Sequence, residues 1–274
     1  MSRVFNHVNP NLWLGTPRTA VNTVPVTAGL RMGDPTTGRG RVRLQGGQIS
    51  NVTAGACGLG MLFADAQVVA GSWTNATTTF ANDTTDAQDI DIDDFALFTT
   101  TASDGFIVGC SEPFNMLSID QTTASSGGSP VFAYAYWGRP TTGLASASTG
   151  WQTVATNLIT ASWTAAAAER LVVVNVPVDL EVAVVSGDIT GGAPLVGKYA
   201  IRVIATTAPS TAGGTAARIY AGRELHRTVS AGANTENNFG GGIGADARII
   251  DGGVGLQSFY ATAAASNHLY LEYI

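Results

Sequence analysis

Short runs of β-branched and aromatic residues, each cut off by glycine, asparagine, aspartate or proline, limit what this chain can fold into. Such runs suit a pleated, half-buried strand and end at turn residues. In the first half they predict strands at 41–44, 60–69, 88–99, 106–108, 116–119 and 131–137. The second half adds 154–158, 171–176, 181–185, 199–206, 218–220, 248–250, 256–261 and 268–273. Helix-friendly sequence is confined to residues 163–170 (WTAAAAER), room for one or two turns. The pattern predicts an all-β chain: an antiparallel β-sandwich of jelly-roll type with an extended N-terminal arm and little helix.

The arm is read from proline. Pro10, Pro17, Pro25 and Pro35, with five glycines among them, disfavour a sheet interior and predict an extended arm over 1–45. Trp13 on that arm then needs a covering surface, its own body or a neighbour. Residues 46–205 are expected to form the main sandwich. Residues 206–274 are expected to form a C-terminal β region, a second small domain or the completion of the first. Segments 122–130 (TTASSGGSP) and 206–215 (TTAPSTAGGT) read as linkers or loop tips.

Charge is segregated along the chain. Residues 1–43 sum to +5, residues 44–138 to −10 and the remainder to −1. The middle segment has ten carboxylates and no lysine or arginine. Opposite patches of this kind steer and register a contact between surfaces, either between copies or between an arm and its own body. Arg39, Arg41 and Arg43 alternate, so a strand would put them on one face. Asp89, Asp91 and Asp93 alternate with isoleucines in the same way, and are the proposed counterpart on a neighbouring copy. A calcium site there lacks the loop glycine and distant glutamate, so no metal is expected.

Charged residues make up only 12% of the chain and Lys198 is its one lysine. So weakly charged a surface suits a subunit packed among neighbours better than a free monomer. The net charge of −6 argues against general nucleic-acid binding. Cys57 and Cys110 sit among small and apolar residues and read as buried thiols, without zinc-ligand spacing. No signal-peptide core opens the sequence and no apolar run is long enough to span a bilayer, so cytoplasmic synthesis and no membrane partner are expected. His7, His226 and His268 lie in no nucleophile or metal motif, so no enzyme and no cofactor are expected. Trp73, Trp137, Trp151 and Trp163 suit either sandwich packing or a sugar-stacking platform.

One region carries a family pattern. Gly105-Phe106-Ile107-Val108-Gly109 precedes Pro113-Phe114; Tyr134-Ala135-Tyr136-Trp137-Gly138 follows, and Trp151 closes the next turn. A second stretch, Gly197-Lys198-Tyr199-Ala200-Ile201-Arg202-Val203, runs into a polar turn containing Pro209. Residues 104–209 thereby resemble structural proteins of tailed bacteriophages. Arg139-Pro140 departs from the short Asn-Gly turn of that pattern and lengthens the loop that follows. The resemblance implies a virion component assembled in the host cytoplasm: capsid decoration (cement) protein, head fibre, or tail or baseplate part. The shell protein itself would need a long spine helix that this sequence lacks. The expectation is a non-enzymatic decoration protein, contacting the major capsid protein and copies of itself as a trimer. The alternative is a tail-fibre or baseplate adhesin that binds host glycans through tryptophans.

Overall fold

The computed structural model describes residues 20–21, 31–32, 42–51, 55–89, 94–139, 149–159, 162–166, 169–176, 183–230, 235–239, 248–250, 255–260 and 267–273. Trp13, Arg39, Arg41, Asp91 and Asp93 lie outside the described residues. The chain begins with β1 (Ala20–Val21), β2 (Arg31–Met32), β3 (Val42–Asn51) and β4 (Gly55–Leu62). Next come β5 (Val68–Thr74), β6 (Thr79–Asn82), a short helix α1 (Thr84–Gln88), β7 (Phe95–Ala96), β8 (Gly105–Cys110) and β9 (Met116–Thr123). They are followed by β10 (Val131–Gly138), β11 (Gly150–Val154), β12 (Thr156–Ile159), β13 (Glu169–Val174), β14 (Tyr199–Thr207) and β15 (Thr215–Ser230). The last strands are β16 (Thr235–Phe239), β17 (Arg248–Ile250), β18 (Gly255–Tyr260) and β19 (Asn267–Tyr273).

Two compact units result, one of residues 1–61 with 225–274 and the other of residues 62–224. The sequence reading divided the chain at 45 and 205. The units divide elsewhere because ladder hydrogen bonds join the two ends of the chain. In the first unit β3 takes β19 on one side and β16 and β17 on the other, all antiparallel. Ile49 registers with Leu269 and with Asn237, and Arg43 with Ile249. The described parts of the expected arm are strand residues. β1 pairs with β19, β2 pairs with β18, and 42–45 open β3.

The second unit is an antiparallel sandwich. One sheet has the order β11-β10-β14-β8-β5-β6; the other runs β12-β13-β9-β15, with β7 paired to β15. Ala155 alone separates β11 in the first sheet from β12 in the second, so one extended stretch turns the corner between them. Asn175 N–H donates to the Ala155 carbonyl over 2.9 Å and holds that corner.

Alternation along β8 sends Phe106 between the sheets and Ile107 to the outer face. Phe106 meets Phe95, Phe98 and Trp163 at centroid separations of 6.0, 5.7 and 6.1 Å. Phe132 closes on Phe98 at 4.7 Å. Each such ring stabilises the fold by roughly 1.5–3 kcal/mol through burial, and tilted pairs add about 0.5–1.5.

Tertiary bonds override several local expectations. The described residues of 163–170 are not helical: Trp163 lies in a turn and Arg170 in β13. Fully buried Arg170 donates from Nε to Gln121 Oε1 at 2.7 Å and from Nη2 to the carbonyls of Ala165 and Ala166. Gln121 Nε2 takes the Trp163 carbonyl at 3.0 Å. Carbonyls that a helix would use are thus bound from the sheet. The strand expected over 60–69 is broken by a 3₁₀ turn at Asp65–Gln67, and that expected over 88–99 begins in α1 and, among its described residues, is strand only in β7. Gln88 ties the helix to the turn: its Nε2 donates to the carbonyls of Asp65 (2.6 Å) and Val68 (2.8 Å). The two segments read as loose tips are tied together. Ser126 bridges Ala212, and Ser125 Oγ donates to the Gly213 carbonyl at 2.7 Å.

Candidate functional site

The outer face of the six-stranded sheet carries the most concentrated chemistry among the described residues. Trp73 on β5, Ile107 on β8, Ala135 and Trp137 on β10, Trp151 on β11 and Arg202 on β14 fall on one face by register. Arg202 stands opposite both Ala135 and Ile107, and Trp137 opposite Trp151. Small residues are needed there: Ala135 has one methyl, and at Gly71 and Gly105 on the same face a Cβ would stand 2.0 Å from the carbonyl oxygens of Ala81 and Val203. The segment 183–198 covers one end of the face with Val184, Ile189 and Leu195. It passes β6 closely at Gly191 (φ 73°), where a Cβ would stand 2.2 Å from the Phe80 carbonyl oxygen.

The guanidinium of Arg202 packs against two indoles, 5.0 Å from the ring centre of Trp73 and 4.7 Å from that of Trp151. Trp151 meets Trp73 edge-on at 6.4 Å and Trp137 edge-on at 5.2 Å. Cation–π attraction in so desolvated a setting is worth about 1–2 kcal/mol. Burial pushes the Arg202 pKa down to about 10, still well above neutrality, so the group is a cation at physiological pH. Arg202 makes no ion pair or hydrogen bond with a described residue, and its Nε is buried without an acceptor. The indole N–H groups of Trp73 and Trp137 are likewise buried without acceptors. Three orphaned donors in one cluster are unusual, because buried polar groups are nearly always bonded.

This arrangement alters the reading of the tryptophans. Trp163 is not with the others: it is 1% exposed on the inner side, donating to Tyr134 Oη at 2.9 Å. Trp73 and Trp137 are buried at 5% and 7% exposure, so only Trp151 keeps an open portion of its ring. No flat four-ring platform exists. Sequence reasoning missed Arg202, although a lone arginine inside Tyr199-Ala200-Ile201-Arg202-Val203-Ile204, with no acid beside it, was visible.

The acidic segment also differs from its reading as acids that need a partner's charge. Asp65 pairs with Arg218 at 3.1 Å, far away in sequence. Asp104, 5% exposed, accepts from Asn75 N–H at 2.8 Å and Thr99 Oγ1 at 2.9 Å. Asp94 accepts from Thr122 and Thr215 hydroxyls, and Asp83 from Ser72 N–H. Amides and hydroxyls of the fold itself therefore serve these carboxylates. Of the proposed contact residues, Arg43 is a β3 residue and Asp89 follows α1.

No family model, curated protein or solved structure matches this chain. Among the described residues no group of three or more His, Cys, Asp or Glu side chains gathers to hold a metal. No described helix is long and apolar enough to cross a membrane.

Proposed function

We propose that this chain is a non-enzymatic virion structural protein, a capsid decoration protein that stabilises a phage head by bridging subunits. One observation supports the reading above others. Of the stretches that carry the resemblance, 105–109, 134–138, 151 and most of 197–203 belong to β8, β10, β11 and β14, four neighbouring strands of one sheet, while Pro113-Phe114 lies beyond the end of β8. The pattern thus follows a single structural piece rather than scattered similarity. Bridging works by area: about 800 Å² per partner makes a specific contact, and repeated copies on a lattice turn weak contacts into avid ones. In this reading the basic residues Arg39, Arg41 and Arg43 meet Asp89, Asp91 and Asp93 of a neighbour, Trp13 is covered in the same contact, and copies assemble as trimers. The test is the number of copies per purified particle, relative to the major capsid protein, by quantitative mass spectrometry. Copies on the order of hundreds support decoration, since a standard interface repeats at every lattice point; absence from the particle refutes it. Replacing the three arginines by alanine weakens particle binding and flattens its salt dependence.

A second reading has its own observation. Trp73, Trp137 and Trp151 gather around Arg202 on one sheet face. An adhesin of a tail fibre or baseplate, binding host glycans there, is present in few copies per particle and loses sugar binding on Trp151→Ala.

A further inference from the structure

We infer that the Arg202 face binds a sugar that carries a carboxylate, such as a uronic acid unit of an acidic polysaccharide. The inference rests on the second reading, glycan binding at this face, and adds the charge of the ligand.

Three donors of this cluster have no acceptor. Arg202 Nε, Trp73 Nε1 and Trp137 Nε1 are all unbonded. The guanidinium carries a full positive charge that no described carboxylate neutralises, although the chain is acidic overall. Leaving a buried donor unbonded costs about 1–3 kcal/mol, and more for a charged group. Those three atoms are sealed from solvent, so the reachable feature is the half-buried guanidinium end of Arg202, and a molecule complementary to that cation brings negative oxygen acceptors. A carboxylate fits best, because the planar guanidinium can donate two parallel hydrogen bonds to it. Carbon–hydrogen faces of a pyranose suit the remaining feature, the partly open indole of Trp151.

The packing of the guanidinium serves selectivity. Trp73 and Trp151 both pack against the guanidinium, which limits the side-chain freedom lost on binding. A neutral sugar replaces the arginine's bonds to water only with bonds to uncharged hydroxyl oxygens. An acidic one replaces them with charge-assisted bonds.

The test uses the full chain with three probes: hexagalacturonate, its methyl ester, and neutral cellohexaose. Tryptophan fluorescence and calorimetry report binding. Hexagalacturonate is expected to bind about tenfold or more tightly than either neutral probe, a difference of about 1.4 kcal/mol. Arg202→Gln removes that preference, with circular dichroism and melting checking that the variant folds. Trp151→Ala weakens all saccharides alike. Equal binding of the acid and its methyl ester by the unaltered chain overturns the inference while glycan binding stands, and needs no variant. Acid preference that survives in a folded Arg202→Gln variant overturns it too. Binding of none of the three overturns both the inference and the adhesin reading.

Discussion

The indole N–H of Trp163 donates to the phenol oxygen of Tyr134 over 2.9 Å, linking the turn before β13 in one sheet to β10 in the other. Both residues are buried, and the bond lies in the middle of the aromatic interior. It is a polar tie across the interior, beside the buried Arg170–Gln121 pair.

Tyr134→Phe removes the acceptor and leaves the indole N–H unbonded. A loss of about 1–3 kcal/mol in unfolding free energy is expected by urea titration. An unchanged midpoint would mean the N–H finds another acceptor.

The same residue sets a pH window. Burial pushes the Tyr134 phenol up to about 12, against an ordinary value near 10. Its folded pKa lies above its unfolded one, so its contribution is fully present below about pH 10 and is lost as pH rises through about 12. Ultraviolet titration of the native chain should show one tyrosine ionising late, an event absent from Tyr134→Phe.

Cys110 is fully buried on β8, and burial pushes its thiol up to about 11. Thiolate is the reactive form, so alkylation of Cys110 at pH 8 should be negligible in the native chain and complete after unfolding. Peptide mapping after iodoacetamide separates it from Cys57.

Asp104→Ala leaves the Asn75 amide and the Thr99 hydroxyl without their acceptor at the start of β8. The expected loss is about 2 kcal/mol, read as a lower thermal midpoint. Asp104→Asn keeps one acceptor oxygen and should lose less.

Gly213→Ala tests the tie between the two loop tips. An added Cβ would stand 1.7 Å from the Phe98 carbonyl oxygen and 2.3 Å from its carbon, both backbone atoms that cannot swing away. Overpacking of this kind costs about 1–3 kcal/mol, and denaturant unfolding measures it.

Much of this architecture was legible from local chemistry. The strands expected at 106–108, 116–119, 131–137 and 199–206 lie within β8, β9, β10 and β14, because β-branched runs between turn residues carry their own boundaries. Residues 154–158 read as one strand and are a corner, since nothing in Val154-Ala155-Thr156 marks the change of sheet. The alanines after Trp163 favour a helix by propensity, but Arg170 takes the carbonyls of Ala165 and Ala166, and Gln121, distant in sequence, takes that of Trp163; the second contact is tertiary information. The site was half legible. Aromatic content flagged the tryptophans, but only strand register brings Trp73, Trp137 and Trp151 together and sends Trp163 to the other side. The charge blocks predicted mutual attraction, whereas Asp83, Asp94 and Asp104 are served by N–H and hydroxyl donors that no charge count registers.

The corner at Ala155 has a mechanical consequence. A single residue joins β11 to β12, so the two layers cannot shear past one another along that edge without tearing pairs from both ladders. Load applied to the outer face near Trp151 passes directly through the backbone into the opposite layer. The seam works as a welded edge, and yielding under strain would begin at the far side, where β6 ends the sheet with only four residues.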